Sequence, residues 1–97
     1  MNIQALMKQA QSLQKDMMKA KDEIDNTIFT GFNSYVTVKV NGKKEVLDIK
    51  IDTDLVEKDD VEMLQDILMV ALNNAFSEVD KVTEQKMSKY ANIPGLF

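Results

Sequence analysis

The chain has 97 residues, with 12 lysines against 16 carboxylates for a formal charge of −4, and it contains no Arg, His, Cys or Trp. One domain, residues 1–97, fits that length, and a hydrophobic fraction of 44% with one Pro and three Gly fits a folded chain rather than a disordered one. Without Cys or His there is no usual zinc site, disulfide, thiol nucleophile or imidazole base, so neither metal nor cofactor is expected and most enzymatic constellations are excluded.

The first segment has a helical period. Ile3, Leu6, Ala10, Leu13, Met17, Ala20 and Ile24 recur at alternating spacings of three and four, a heptad seam, and no Gly or Pro interrupts residues 2–26. One long helix is predicted over residues 2–26. Gln4, Lys8, Gln11, Lys15 and Lys19 form a polar, mostly cationic stripe on the face opposite the seam. Met1 to Ala10 shows no basic stretch followed by an apolar core, so no secretory signal is read and a cytoplasmic location is expected.

From Ile28 the period becomes twofold. A short first strand is predicted at about 28–32, with Gly31 marking a bulge or bend. Val36, Val38 and Val40 alternate with polar residues over 35–40, and Leu47, Ile49 and Ile51 alternate over 45–51. Asn41-Gly42 between them is a strong hairpin signal. A two- or four-residue loop places the three valines on one face with Leu47, Ile49 and Ile51, whereas a three-residue loop would oppose them and is rejected. The middle of the chain therefore reads as a three-stranded antiparallel meander.

Asp52, Asp54, Glu57, Asp59 and Asp60 form an acidic cluster. A calcium loop is not supported, because Val56, Glu57 and Met63 occupy the positions that need a ligand, a glycine and the closing carboxylate. Nothing sets Asp52 and Asp54 over a pocket, so acid–base catalysis is not expected and the protein is read as a non-enzyme. Asp59 with Glu62 instead resembles an N-cap and its capping-box partner. A second long helix is predicted over about 60–89, with Val61, Leu64, Ile67, Leu68, Ala71, Leu72, Ala75, Phe76, Val79 and Val82 on its apolar face, followed by a tail over 90–97. Its longest apolar run, Ile67 to Leu72, is far short of the roughly 20 residues that span a bilayer, so no membrane partner is expected.

Helices of roughly 36 and 42 Å must overhang strands of only about 23 Å, which leaves apolar positions for each other or for a second copy. A homodimer is the simplest expectation. If the free ends, residues 1–21 and 79–97, lie together, they carry seven lysines against three carboxylates, a net of +4, and the remainder carries −8. A meander of three strands exits opposite its entry, so the linker after Ile51 is expected to return across the sheet.

Taken together, Met7-Lys8-Gln9-Ala10-Gln11, Thr30-Gly31, Asn41-Gly42, Ile51-Asp52, Met63-Leu64-Gln65-Asp66, Ala71-Leu72-Asn73-Asn74-Ala75, Gln85-Lys86-Met87 and Pro94-Gly95-Leu96-Phe97 resemble the YbaB/EbfC family of bacterial nucleoid-associated proteins over essentially the whole chain. The resemblance implies an α+β homodimer whose long helices project like tweezers and bind DNA, without enzymatic activity or a small-molecule substrate, in the cytoplasm and on the nucleoid. Relatives are usually glycine-rich after Thr-Gly, whereas here the chain reads Phe32-Asn33-Ser34-Tyr35. With the arms supplied by the resemblance and the residues by the charge map, the expected DNA contacts are Lys8, Lys15, Lys19, Lys81, Lys86, Lys89, Gln4 and Gln11. Ile3, Leu6, Ala10, Leu13, Met17, Ala20 and Ile24 form the expected core or dimer seam. Lysine without arginine favours phosphate over base reading and hence a weak sequence preference. The competing reading is a homodimeric protein-interaction module that uses the Met-rich seam and the acidic patch.

Overall fold

The computed structural model describes residues 2–91. Pro94-Gly95-Leu96-Phe97 and most of the predicted tail lie outside the described residues. Helix α1 spans Ile3–Asp25, strands β1, β2 and β3 span Phe29–Asn33, Val36–Val40 and Val46–Ile51, and helix α2 spans Val61–Met87. Single 3-10 turns lie at Thr53–Leu55 and Ser88–Tyr90. The fold is α+β, as expected, and elongated, measuring 72 × 19 × 14 Å.

The sheet is an antiparallel meander in the order β1-β2-β3. Period two puts Phe29, Gly31, Val36, Val38 and Val40 on one face, and all five are buried, with α2 lying across them. Ala71, Ala75 and Val79 form the buried stripe of the helix. The approach is closest at Gly31, where an added Cβ would overlap the Ala71 carbonyl and the Ala75 backbone and side chain. Gly31 is therefore not the predicted bulge. It pairs in regular register with Val38, and its missing side chain is what lets the helix sit down. Across the edge, the Asn74 amide donates to the Phe32 carbonyl at 3.1 Å and the Asn33 amide donates to the Ile67 carbonyl at 3.2 Å.

The β2–β3 connection overturns the loop reading. The Asn41 N–H donates to the Glu45 carbonyl, leaving the three residues Gly42-Lys43-Lys44 between them, with Lys44 left-handed at φ 62°. Facial parity is restored by an irregularity in the ladder: Lys39 opposes Asp48 while Val40 opposes Val46, which makes Leu47 the extra residue. Ile49 and Ile51 then face the same side as Val38 and Val36, as expected. The N-cap of α2 is Asp60 rather than Asp59. Its carboxylate accepts from Met63 N–H at 2.9 Å, so Glu62 has no capping-box role.

The linker does not return across the sheet. β3 ends beside the β1–β2 turn, since Ile51 opposes Val36, and α2 begins at that end. The helix itself crosses back, passing Asn33 at Ile67, Gly31 at Ala71 and Ala75, and the β2–β3 loop at Asp80.

Two substitutions test these backbone readings. Gly31→Ala should lower unfolding stability by about 1–3 kcal/mol, because the methyl has no space under α2. Ser34, held at φ 53° in the two-residue β1–β2 turn, should give the opposite sign: Ser34→Gly should raise stability by roughly 0.5–1 kcal/mol by removing left-handed strain. Urea denaturation followed by circular dichroism reads both.

Candidate nucleic-acid interface

α1 touches α2 and the β2–β3 loop but does not lie on the sheet. Its heptad seam is covered progressively toward its base. Ile24 is buried, Ala20, Met17 and Leu13 are half-buried, and every residue from Asn2 to Ser12 is exposed. At the tip, Ile3 is 70% and Leu6 49% exposed. The two helices run antiparallel: Met17, Lys21 and Ile24 face Thr83 and Met87 across a cleft of about 420 Å³. Past Val79, α2 has left the sheet and joins α1, and Tyr90 is buried at the end of this two-helix projection. Of the free ends expected from the length mismatch, the stretches from Leu13 on α1 and from Val79 to Ala91 lie together, residues 2–12 of α1 extend uncovered, and residues 92–97 lie outside the described residues.

The expected DNA-binding residues are all on this projection, and all are exposed. Gln4, Lys8, Gln11, Lys15 and Lys19 run along α1 on the side away from the seam, as their spacing dictates. Lys8, Gln11 and Lys15 border a shallow hollow with Ser12, Gln14 and Met18. On α2, Lys81 lies opposite the buried stripe. Lys86, seven residues beyond Val79, lies on the same side as that stripe and is exposed because no sheet lies beneath the helix there. Lys89 extends over the Tyr90 ring, with its Nζ 5.2 Å from the centroid.

Three features that sequence reading missed sharpen the charge of the arm. Asp80, one of its three carboxylates, is paired with Lys44 of the β2–β3 loop at 2.7 Å. Both groups are largely exposed, so the pair is worth at most about 1 kcal/mol, yet it offsets one of the arm's negative charges. None of the seven arm lysines enters an ion pair among the described residues. The first turn of α1 has no acidic residue, and the Asn2 side chain accepts from the Gln4 and Ala5 N–H groups at 3.0 and 3.3 Å, so the first turn offers the positive end of the helix dipole no carboxylate of its own. No sequence signal linked Lys44 to Asp80, because that pairing follows from where α2 crosses the loop.

The acidic cluster of residues 52–60 occupies the other end. Asp52 caps the 3-10 turn by accepting from Asp54 N–H at 3.2 Å, and Asp60 caps α2. Among the described residues, no group of three acidic side chains converges as metal ligands would, and no helix is long and apolar enough to cross a membrane.

These features define an α+β protein with a cationic helical arm on an acidic, sheet-bearing base. The chain belongs to the YbaB/EbfC DNA-binding family, whose model matches residues 1–93. It is 46% identical to a nucleoid-associated protein of Ligilactobacillus salivarius, covering 99% of this chain and 95% of that protein. It is also 46% identical to one of Clostridium novyi, covering 100% of this chain and 90% of that protein. Among solved structures, the uncharacterized protein HP0035 of Helicobacter pylori is similar at a TM-score of 0.74 and 26% identity, over 93% of this chain and 97% of that one.

Proposed function

We propose that the protein is a non-enzymatic, nucleoid-associated DNA-binding protein of the cytoplasm. It acts as a homodimer and holds duplex DNA through phosphate contacts from lysines on its projecting arms, with weak sequence preference. The carrying observation is the segregation of charge: seven exposed lysines gather on the arm, away from the acidic base. The names of its relatives support DNA and the nucleoid as its setting.

Phosphate recognition follows from residue type. An ammonium on a flexible stem is a point charge that meets a phosphate from many directions, whereas bidentate reading of guanine is work for a guanidinium, which the chain lacks. Gln4 and Gln11 flank the lysine stripe and supply hydrogen bonds to phosphate or to an adenine edge. The acidic base is repelled by the duplex, so the arms lead in the encounter.

The homodimer is supported by the uncovered edge of the sheet. One helix seated over β1 and β2 leaves β3 bare, and Val46, Leu47 and Ile49 remain 45%, 52% and 42% exposed. Met69 and Val70 on α2 are exposed as well. An open edge strand with this much apolar surface invites pairing, and a twofold contact lets the same patch cover itself.

For a dimer engaging about six phosphates, log K should fall with log[salt] at a slope near −5, and changing Lys8, Lys15 and Lys19 together to Glu should abolish binding to unrelated duplexes in a mobility-shift assay. A salt-independent affinity, or an unaltered shift by the triple variant, would remove the proposal. Separately, light scattering should give twice the chain mass for the wild type and a single chain mass for Ile49→Glu. A wild-type monomer at micromolar concentration rules out the dimer.

A further inference from the structure

We propose that the tip of the β2–β3 hairpin, Gly42 with Lys44, is the positioning element that sets the direction of the α1 arm. Resting on the DNA-binding reading above, this makes both residues determinants of DNA affinity although neither belongs to the lysine stripe.

The first observation is what Gly42 is for. In an Asn-Gly turn the glycine ordinarily supplies a left-handed backbone, but here the left-handed residue of the loop is Lys44, at φ 62°, and Gly42 has no left-handed φ. What excludes a side chain at Gly42 is α1: an added Cβ would overlap the Ile24 carbonyl and press on the Asp25 nitrogen. The glycine is thus demanded by a neighbouring helix rather than by the turn that contains it.

The second is that the tip is rigid and tied down. The Asn41 side chain accepts from the Lys43 and Glu45 N–H groups, both at 3.0 Å, and donates to the Glu45 carboxylate at 2.8 Å. Lys44 then reaches Asp80 of α2 at 2.7 Å. On the other side of the contact, the end of α1 is closed by the Asn26 amide on the Asp22 carbonyl and the Thr27 hydroxyl on the Glu23 carbonyl, at 2.9 and 2.6 Å. A stiff loop anchored to α2 bears on the stiff last turn of α1.

The third is leverage. α1 has 23 residues, is about 34 Å long, and is covered only along its seam from Leu13 to Ile24, so a tilt of about 10° at Ile24 carries its tip about 6 Å. That exceeds the roughly 3.4 Å per base step along a strand, and because the α1 lysines move as one body it shifts Lys8, Lys15 and Lys19 out of register with Lys81 and Lys86 on α2. Small errors at the root become a full step at the arm.

The test uses the full chain, which has no Cys, so nitroxides attach only at the introduced Ala5→Cys and Thr30→Cys. Electron–electron resonance distances are read with labelled chain diluted in unlabelled chain, and DNA affinity is measured on unlabelled protein. Gly42→Ala should shift or broaden the 5–30 distance distribution by about 2 Å, the part of the sideways displacement that projects on the line between the labels, and reduce the salt slope by about 2, with circular dichroism unchanged. Lys44→Asp should broaden the distribution, and adding Asp80→Lys should narrow it again, which decides the matter if Gly42→Ala does not fold. Wild-type distance distributions in both Gly42→Ala and Lys44→Asp overturn the proposal. So does a displaced arm with wild-type affinity. A wild-type chain that binds no duplex overturns the DNA reading and the role in affinity, while the distances still judge the control of arm direction.

Discussion

One helix must cover a sheet that is wider than it is. An α-helix with its side chains is about 10–12 Å across, and three strands span about 14 Å, so the seating of α2 decides which strand stays bare. Gly31 makes that decision. There, on the inner face, backbone meets backbone, with Ala71 and Ala75 on the facing side, and the helix packs more closely on β1 than on β2. The Asn74 and Asn33 amides tie the helix to that edge and occupy the Phe32 carbonyl there. β3 is left as the open edge, with its apolar side chains uncovered. The surface available to a second copy is therefore a consequence of a missing methyl group two strands away.

The same seating explains the charge map. Because the meander ends opposite its start, α2 enters at the β1–β2 turn, runs the length of the sheet, and emerges beside the end of α1. Lys81, Lys86 and Lys89 on one helix and Lys8, Lys15 and Lys19 on the other are more than 60 residues apart in the chain, and they share a projection only because a helix, rather than the linker, makes the return crossing. The acidic linker is held at the opposite end for the same reason. A formal charge of −4 averages over two regions of opposite sign.

What was legible in the sequence was periodic. The heptad seam, the alternating valines and the apolar face of α2 are repeats enforced by side-chain direction, and they recovered both helices and all three strands to within a residue or two at most boundaries. What escaped depended on contacts between elements. Parity arguments exclude a three-residue loop only if the ladder is regular, and the extra residue at Leu47 restores the parity that the loop breaks. Gly31 reads as a bend and Gly42 as a turn residue because local rules know only what glycine does to its own backbone, whereas both are there to admit a neighbour. Asp59 and Asp60 are adjacent and equally able to cap, and tertiary placement chose the second. For the candidate site, the lysines and their outward face were legible, while the pairing of Asp80 with Lys44 was not, since it joins a loop to a helix through a crossing no periodicity specifies.

The two glycines divide the architecture between them. Gly31 seats α2 and so settles which edge is free, and Gly42 sits against α1 and so settles where the arm points. Lysine on such an arm is consistent with this arrangement. A guanidinium demands planar, bidentate geometry, and a lever about 34 Å long multiplies any angular error at its root, whereas an ammonium on four methylenes tolerates displacements of an ångström or two at little cost. A rigid root with forgiving tips suits a ligand that is a regular array of like charges. It suits much less a site that must register individual base edges, because each such contact would need the root held within a fraction of the tolerance that a phosphate contact allows.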